Sequence, residues 1–299
     1  MKPCPPDKRY KVLVLALIVG LFFVGSACAA DLPEIQKRGV LRHLGIPYAN
    51  FITGGGDGLE IEFVRLFAQE IGVRYEFVET SWGSIIADLT GKSVKPNGEK
   101  VELIGESPVK GDIIATGFTI IPWREKIVDF STPTFPTQVW LVTLAESPLK
   151  PIRPTGDIEK DINAVKALIK GYYVLGKLNT CLDPSLYGLE EAGTKVKLFE
   201  GSLNDLAPAV LAREADYTLL DVPDTLVALR KWPGRIKIIG PLSPVQDMAY
   251  AFSKSSPQLR DAFNRFFEKC MKDGTYSRLV KKYYPAVFQY FPEFFQVKS

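Results

Sequence analysis

From residue 40 onward the apolar pattern of the chain keeps changing period. The segments "VLRHLGI" (40–46) and "VRYEFVE" (73–79) read as strands, the second alternating Val73, Tyr75 and Phe77 against Arg74 and Glu76. Between them "GLEIEFVRLFAQEIG" (58–72) gathers Ile61, Val64, Leu66, Phe67 and Ile71 on one helical face. A second helical pattern, "SWGSIIADLTG" (81–91), precedes the buried strand "DIIATGF" (112–118). Strand, helix and strand in this order restrict the chain to an α/β sheet that takes ligands at the carboxyl ends of its strands.

The stretch "SVKPNGEKVELIGESPVK" (93–110) interrupts this series, with a turn at Pro96-Asn97-Gly98 and a short strand "KVELI". It reads as an inserted hairpin, a solvated decoration before it is anything functional. Near "TPTFPTQVWLVTLAESPLKPIRPTGD" (132–157) Pro-punctuated extended chain replaces helical pattern and marks a boundary. A second helix and strand series follows through residue 240, then a strand pattern "VQDMAYAF" (245–252). Two closing helices enter at Ser256-Pro257 and are broken at Asp273-Gly274.

The first thirty residues have the order of a secretory signal: basic Lys2, Lys8, Arg9 and Lys11, an apolar run at 12–24, then "GSACAA". Cleavage is expected near Ala29 or Ala30. Lipidation at Cys28 is the alternative, disfavoured because Gly25 stands where lipoprotein signals carry an aliphatic residue. The expected location is the periplasm. Without this segment 33 acidic and 33 basic residues remain, so the net positive charge disappears and with it any electrostatic case for nucleic acid. Cys181 and Cys270 are left in an oxidising compartment, where spacing alone allows them to pair or to stay free.

Six segments in order resemble the family 3 extracellular solute-binding proteins, the type that includes polar amino-acid receptors of ABC importers. They are "GVLRHLGIPYANF", "DGLEIEFVRLFAQEIGV", "TSWGSIIADLTGK", "GDIIATGFTIIPWREKIVDFSTPTF", "READYTLLD" and "AYAFSKSSPQLRDAFNRFFEKCMKDGTYSRLVKKYY". The resemblance implies a two-lobed α/β fold of the type II periplasmic-binding class. Lobe 1 would comprise 31–138 and 250–299 and lobe 2 139–249, joined by crossing strands at 137–143 and 246–252.

It also implies a site. Arg124, in the "T-I-x-P-x-R" segment, would pair with a ligand carboxylate, for which a planar guanidinium offers two parallel donors. Asp221 would hold an ammonium group from the second lobe. Thr116, Thr119 and Thr180 would supply hydroxyls, Gly117 an exposed backbone, and Tyr48 and Phe51, with Trp82 as a further candidate, aromatic walls. Two departures stand out. Gly45 replaces the acidic residue that basic-amino-acid receptors carry three positions before the tyrosine, and "LNTCLD" (178–183) replaces a Gly-Thr-Thr turn, keeping Thr180 without the glycine.

The expected partners are a small amino-acid-like ligand and an ABC permease, with the protein monomeric and without cofactor or metal. A sensing adaptor without transport is the alternative role. Catalysis is not expected: the segment at 177–188 lacks a dehydratase's acidic motif, and a chain ending at Ser299 leaves no room for a transglycosylase domain. The single histidine, His43, lies inside a strand pattern and reads as structural.

Overall fold

The computed structural model describes residues 29–97 and 100–296. The expected export signal, with Cys4 and Cys28, lies outside the described residues except for Ala29 and Ala30. Among the described residues no helix is long and apolar enough to cross a membrane.

Along the first part of the chain run α1 (Leu32–Arg38), β1 (Val40–Gly45), α2 (Leu59–Glu70), β2 (Arg74–Glu79), α3 (Ile85–Thr90), β3 (Lys92–Asn97), β4 (Lys100–Glu106), β5 (Ile113–Ile114), α4 (Pro122–Glu125) and β6 (Val128–Phe130). After β7 (Phe135–Thr137) come β8 (Val139–Leu144), α5 (Ile158–Leu168), β9 (Tyr173–Gly176), β10 (Lys195–Leu198), α6 (Leu206–Leu211), β11 (Tyr217–Asp221), α7 (Val222–Lys231) and β12 (Ile236–Pro241). The chain then returns through β13 (Gln246–Met248) and β14 (Ala251–Ser253) to α8 (Pro257–Lys272), α9 (Thr275–Tyr283) and α10 (Val287–Tyr290).

Two five-stranded sheets result. The first has the order β2-β1-β5-β14-β6, parallel from β2 to β5 and antiparallel at β14; the second has β10-β9-β11-β8-β12, with β8 antiparallel to both neighbours. Helices cover both faces of the first sheet, so adjacent strand residues point into different cores. Leu41 and Ile113 face the core shared with α2 and α8, whereas Leu44 and Ile114 face the one built on Ile85, Ile86 and Leu89 of α3.

The sheets are joined by a separate antiparallel pair, β7 with β13. These crossing segments are shorter than expected and shifted toward residue 135. Residues 139–143 are buried on both faces and already form the β8 ladders of the second sheet. The strand expected over 246–252 is likewise split, because Tyr250 N turns to Ser131 Oγ as the chain leaves the joining pair for the first sheet. The expected hairpin is present as β3 paired with β4, carrying exposed Leu103 and Ile104.

Cys181 and Cys270 are both free and buried, the first in the second lobe and the second on α8, which packs on the first sheet. His43 is fully buried, with Nε2 2.6 Å from Ala115 O and Nδ1 2.9 Å from Tyr75 Oη; burial lowers its pKa to about 4. It is a structural side chain held neutral.

The first lobe is held by an aromatic cluster. Phe63 of α2 is fully buried, its ring centroid 4.8 Å from Tyr276, 5.0 Å from Phe266 and 6.0 Å from Phe263. Edge-on and tilted pairs add to the area these rings bury. Phe63→Ala should therefore cost about 3–5 kcal/mol of unfolding free energy, read in urea titrations as a lower midpoint with an unchanged slope. A loss under about 1 kcal/mol would show that the rings repack without Phe63.

Candidate functional site

The loops after β1 and β5 meet the end of β11 across the gap between the sheets. Thr116 ties the first two together: its hydroxyl donates to Ile46 O at 2.9 Å and accepts from Ile46 N at 3.2 Å. The strand expected over 112–118 therefore ends after Ile114, because the chain turns sideways to make these bonds. Gly117 continues the turn at φ +61°, with its N–H donating to Glu60 Oε2 at 2.8 Å. A Cβ here would lie 2.6 Å from the Phe51 ring and 2.9 Å from Tyr48, so conformation and space both require glycine.

Pro122 starts the single-turn α4, which swings Arg124 inward until it is 1% exposed. Nη1 donates to Thr119 O at 2.9 Å, and Nη2 crosses to the second lobe, donating to Asn179 O at 2.9 Å. The guanidinium lies 3.9 Å from the centroid of the Phe118 ring. Among the described residues it has no carboxylate partner, and its Nε has no acceptor. Burial lowers its pKa to about 10, which still leaves it charged at neutral pH.

Asp221 ends β11 and caps α7, accepting from Asp224 N at 3.2 Å. It is fully buried. Tyr48 Oη donates to its Oδ1 from the first lobe, and Cys181 Sγ lies 3.6 Å from Oδ2. Burial raises its pKa to about 6, against the pull of these hydrogen bonds. Asp224, buried beside it, is pushed well above the usual carboxylate range by burial and then by the Asp221 charge.

A third inter-lobe bond runs from Ala49 N to Asn204 Oδ1 at 2.8 Å. The lobes are thus closed on one another, with Arg124 and Asp221 held from opposite sides. Toward solvent the gap widens into a cleft of about 630 Å³, bounded by Ile46, Glu79 and Trp82 on one side and by Lys177, Phe199 and Glu200 on the other.

Arg124, Asp221, Tyr48 and Thr119 converge in this closed region, and Trp82 is half-buried at the cleft wall. Among the described residues Thr119 Oγ1 is buried without a hydrogen-bond partner. Thr116 and Gly117 shape the site from behind, with their polar groups engaged by Ile46 and Glu60. Phe51 is not a wall: fully buried, it packs into the core edge-on to Phe135 and tilted against Tyr284, with ring centroids 5.1 and 5.0 Å away. Thr180 turns away as well, donating to Lys177 O and accepting from Leu182 N.

The expectation missed Asn179 and Cys181, which face the site instead. Asn179 adopts φ +63°, a left-handed backbone that Asn tolerates better than most residues other than glycine. The departure at "LNTCLD" was the available signal.

Comparison with known proteins gives a consistent picture. Residues 108–286 match the family described as bacterial extracellular solute-binding proteins, family 3. The L-cystine-binding protein TcyJ of Escherichia coli is 24% identical over 281 residues, 92% of this chain and 94% of that protein. The membrane-bound lytic murein transglycosylase F of Desulfosudis oleivorans is 27% identical over 233 residues, 77% of this chain but only 44% of that protein. The ancestral amino acid-binding protein AncCDT-1, a precursor of cyclohexadienyl dehydratase, superposes with a TM-score of 0.64 at 26% identity, covering 85% of this chain and all of that one. A mutant of ArgBP from T. maritima superposes at 0.67 and 22% identity, covering 85% and 99%.

Glu60 generates a pH prediction. It is 3% exposed, and burial raises its pKa from 4.5 to about 8, although the Gly117 N–H favours the charged form. The folded chain therefore keeps a proton between about pH 4.5 and pH 8 that the unfolded chain has released, so this residue makes stability fall as pH rises through that interval. Glu60→Gln retains an acceptor for Gly117 and should remove this part of the decline. Urea midpoints from about pH 5 to pH 8 should show the variant gaining on the parent as pH rises; parallel curves would contradict the assignment.

Proposed function

The chain belongs to the bacterial extracellular solute-binding proteins, family 3, and has their two-lobed type II periplasmic-binding fold, and we propose that it captures a free amino acid between its lobes. The lobes are assigned as 31–138 with 250–299, and 139–249. The observation that carries this reading is the fully buried Arg124, whose fork is held by two neutral carbonyls and by no carboxylate among the described residues. A buried cation without a counter-charge is costly, and a ligand carboxylate supplies one in the geometry the fork favours.

Asp221 faces it from the other lobe and would take the ligand ammonium. Binding is then an exchange. The ligand carboxylate replaces the carbonyls on Arg124, the ammonium replaces Tyr48 on Asp221, and the side chain extends past Trp82 into the outer cleft. Because the site is closed in this conformation, entry requires the lobes to part, and the ligand stabilises closure by its preferential affinity for the closed form. Relatives named for L-cystine binding and for amino-acid binding support this ligand class.

We assign the protein to the periplasm as a monomeric receptor that hands its ligand to an ABC permease. Binding without catalysis is part of the proposal: the single histidine is sealed in the first sheet and held neutral.

A thermal-shift screen of the protein against the common amino acids and L-cystine, followed by calorimetry, tests the reading. Arg124→Ala should weaken the identified amino acid by roughly 30-fold to a few thousand-fold, the range of ~2–5 kcal/mol for truncating a desolvated charge pair. Arg124→Lys should recover little, since an ammonium lacks the fork. A folded Arg124→Ala protein binding within about threefold of the parent would end the carboxylate assignment.

A further inference from the structure

The family match stops at residue 286, yet the chain continues as an ordered aromatic segment that contacts both lobes. Its root is fixed to the first lobe. Asn50 Nδ2 donates to Tyr283 O at 2.8 Å, Asn50 N to Tyr284 Oη at 2.7 Å, and Tyr283 Oη donates to Glu62 at 2.5 Å. The Tyr284 ring lies 5.0 Å from Phe51 and 5.1 Å from Phe135.

Beyond this root the segment crosses to the second lobe. α10 packs on α7, and the Tyr290 ring lies 5.6 Å from Trp140 of β8. It then returns to the joining strands, where buried Phe295 stands 6.0 Å from Phe135 of β7. Among the described residues no hydrogen bond links 284–296 to 139–241, so the second-lobe contacts are apolar and can slide or separate. A cavity of about 310 Å³ lies between the segment, Asn50 and the α7 residues Leu226, Val227 and Arg230.

We propose that residues 287–296 form a strap beside the joining strands, anchored on the first lobe and bearing on α7 and β8 of the second only when the cleft is closed. The strap adds to the stability of the closed form independently of which ligand is bound. On opening, the hydrogen-bonded root travels with the first lobe, and the α10–α7 and Tyr290–Trp140 contacts part.

Hydrogen exchange on the full chain without ligand tests this, using the Ala49 amide as the reporter because its bond to Asn204 crosses the cleft. Tyr290 is 47% exposed, so Tyr290→Ala leaves the folded core intact. It should speed Ala49 exchange roughly 2- to 10-fold, the range of one aromatic pair, with α2 and α8 amides unchanged. Tyr290→Phe keeps the ring and should exchange like the parent. Small-angle scattering of Tyr290→Ala should give a larger radius of gyration. An unchanged Ala49 rate overturns the proposal. So does acceleration shared equally by α2 and α8, which would make the tail a stabiliser of the first lobe alone.

Discussion

A guanidinium that is almost wholly removed from water must be hydrogen-bonded, and the closed structure depends on how Arg124 meets that demand. One donor goes to Thr119 O in its own lobe and another to Asn179 O in the other, so the same side chain that needs partners also couples the lobes. The Phe118 face beneath it offers a weakly polar surface in place of solvent. Thr119 also bridges to Met248, and Ile120 N donates to Asp247 O, which connects the segment carrying Arg124 to β13 of the joining pair. A change in what Arg124 holds is thereby linked to the strands that join the lobes.

Behind this contact the first lobe is built to keep two loops in register. Thr116 clasps both polar atoms of Ile46, Glu60 holds the Gly117 amide, and the rings of Tyr48 and Phe51 close over Gly117 where no side chain fits. Phe51 extends the same packing to Phe135 on β7 and Tyr284 at the root of the tail. The loop bearing Tyr48, the joining strands and the C-terminal segment therefore share one aromatic interior. Movement at any of them must be accommodated by the others, because packed cores deform little.

Much of this was legible in the residues. Period alone places β1, α2, β2 and the two closing helices, since burial on one face imposes the same spacing wherever these elements sit. Pattern fails where tertiary bonds redirect the backbone. Residues 112–118 are apolar enough for a long strand, yet Thr116 finds Ile46 and Gly117 turns, leaving two residues in the ladder. Side-chain direction is lost in the same way. Thr180 has the residue type of a ligand donor, but a hydroxyl bonds its own turn when a carbonyl and an amide are close, and the site is faced by Asn179 and Cys181 instead. Phe51 and Tyr48 are near neighbours of similar chemistry, and only the fold decides that one lines the interface while the other supports it.

On the proposed reading, the closed arrangement also sets how strongly an amino acid would bind. Arg124 and Asp221 are not waiting with bare charges: two carbonyls accept from the Nη atoms of the first, leaving its Nε without an acceptor among the described residues, and Tyr48, Cys181 and the Asp224 amide bond the second. A ligand gains the difference between charge-assisted bonds between two ions and those between an ion and a neutral partner. It must also offset the loss of the Tyr48–Asp221 and Arg124–Asn179 bridges, both of which hold the lobes together. A molecule with only a carboxylate or only an ammonium would break one bridge and leave the facing charge with its old partner. A zwitterion would replace both bridges with one ligand spanning the cleft, beside the Ala49–Asn204 bond that also joins the lobes. On the proposed reading, a molecule carrying both charges is the one that would meet both Arg124 and Asp221.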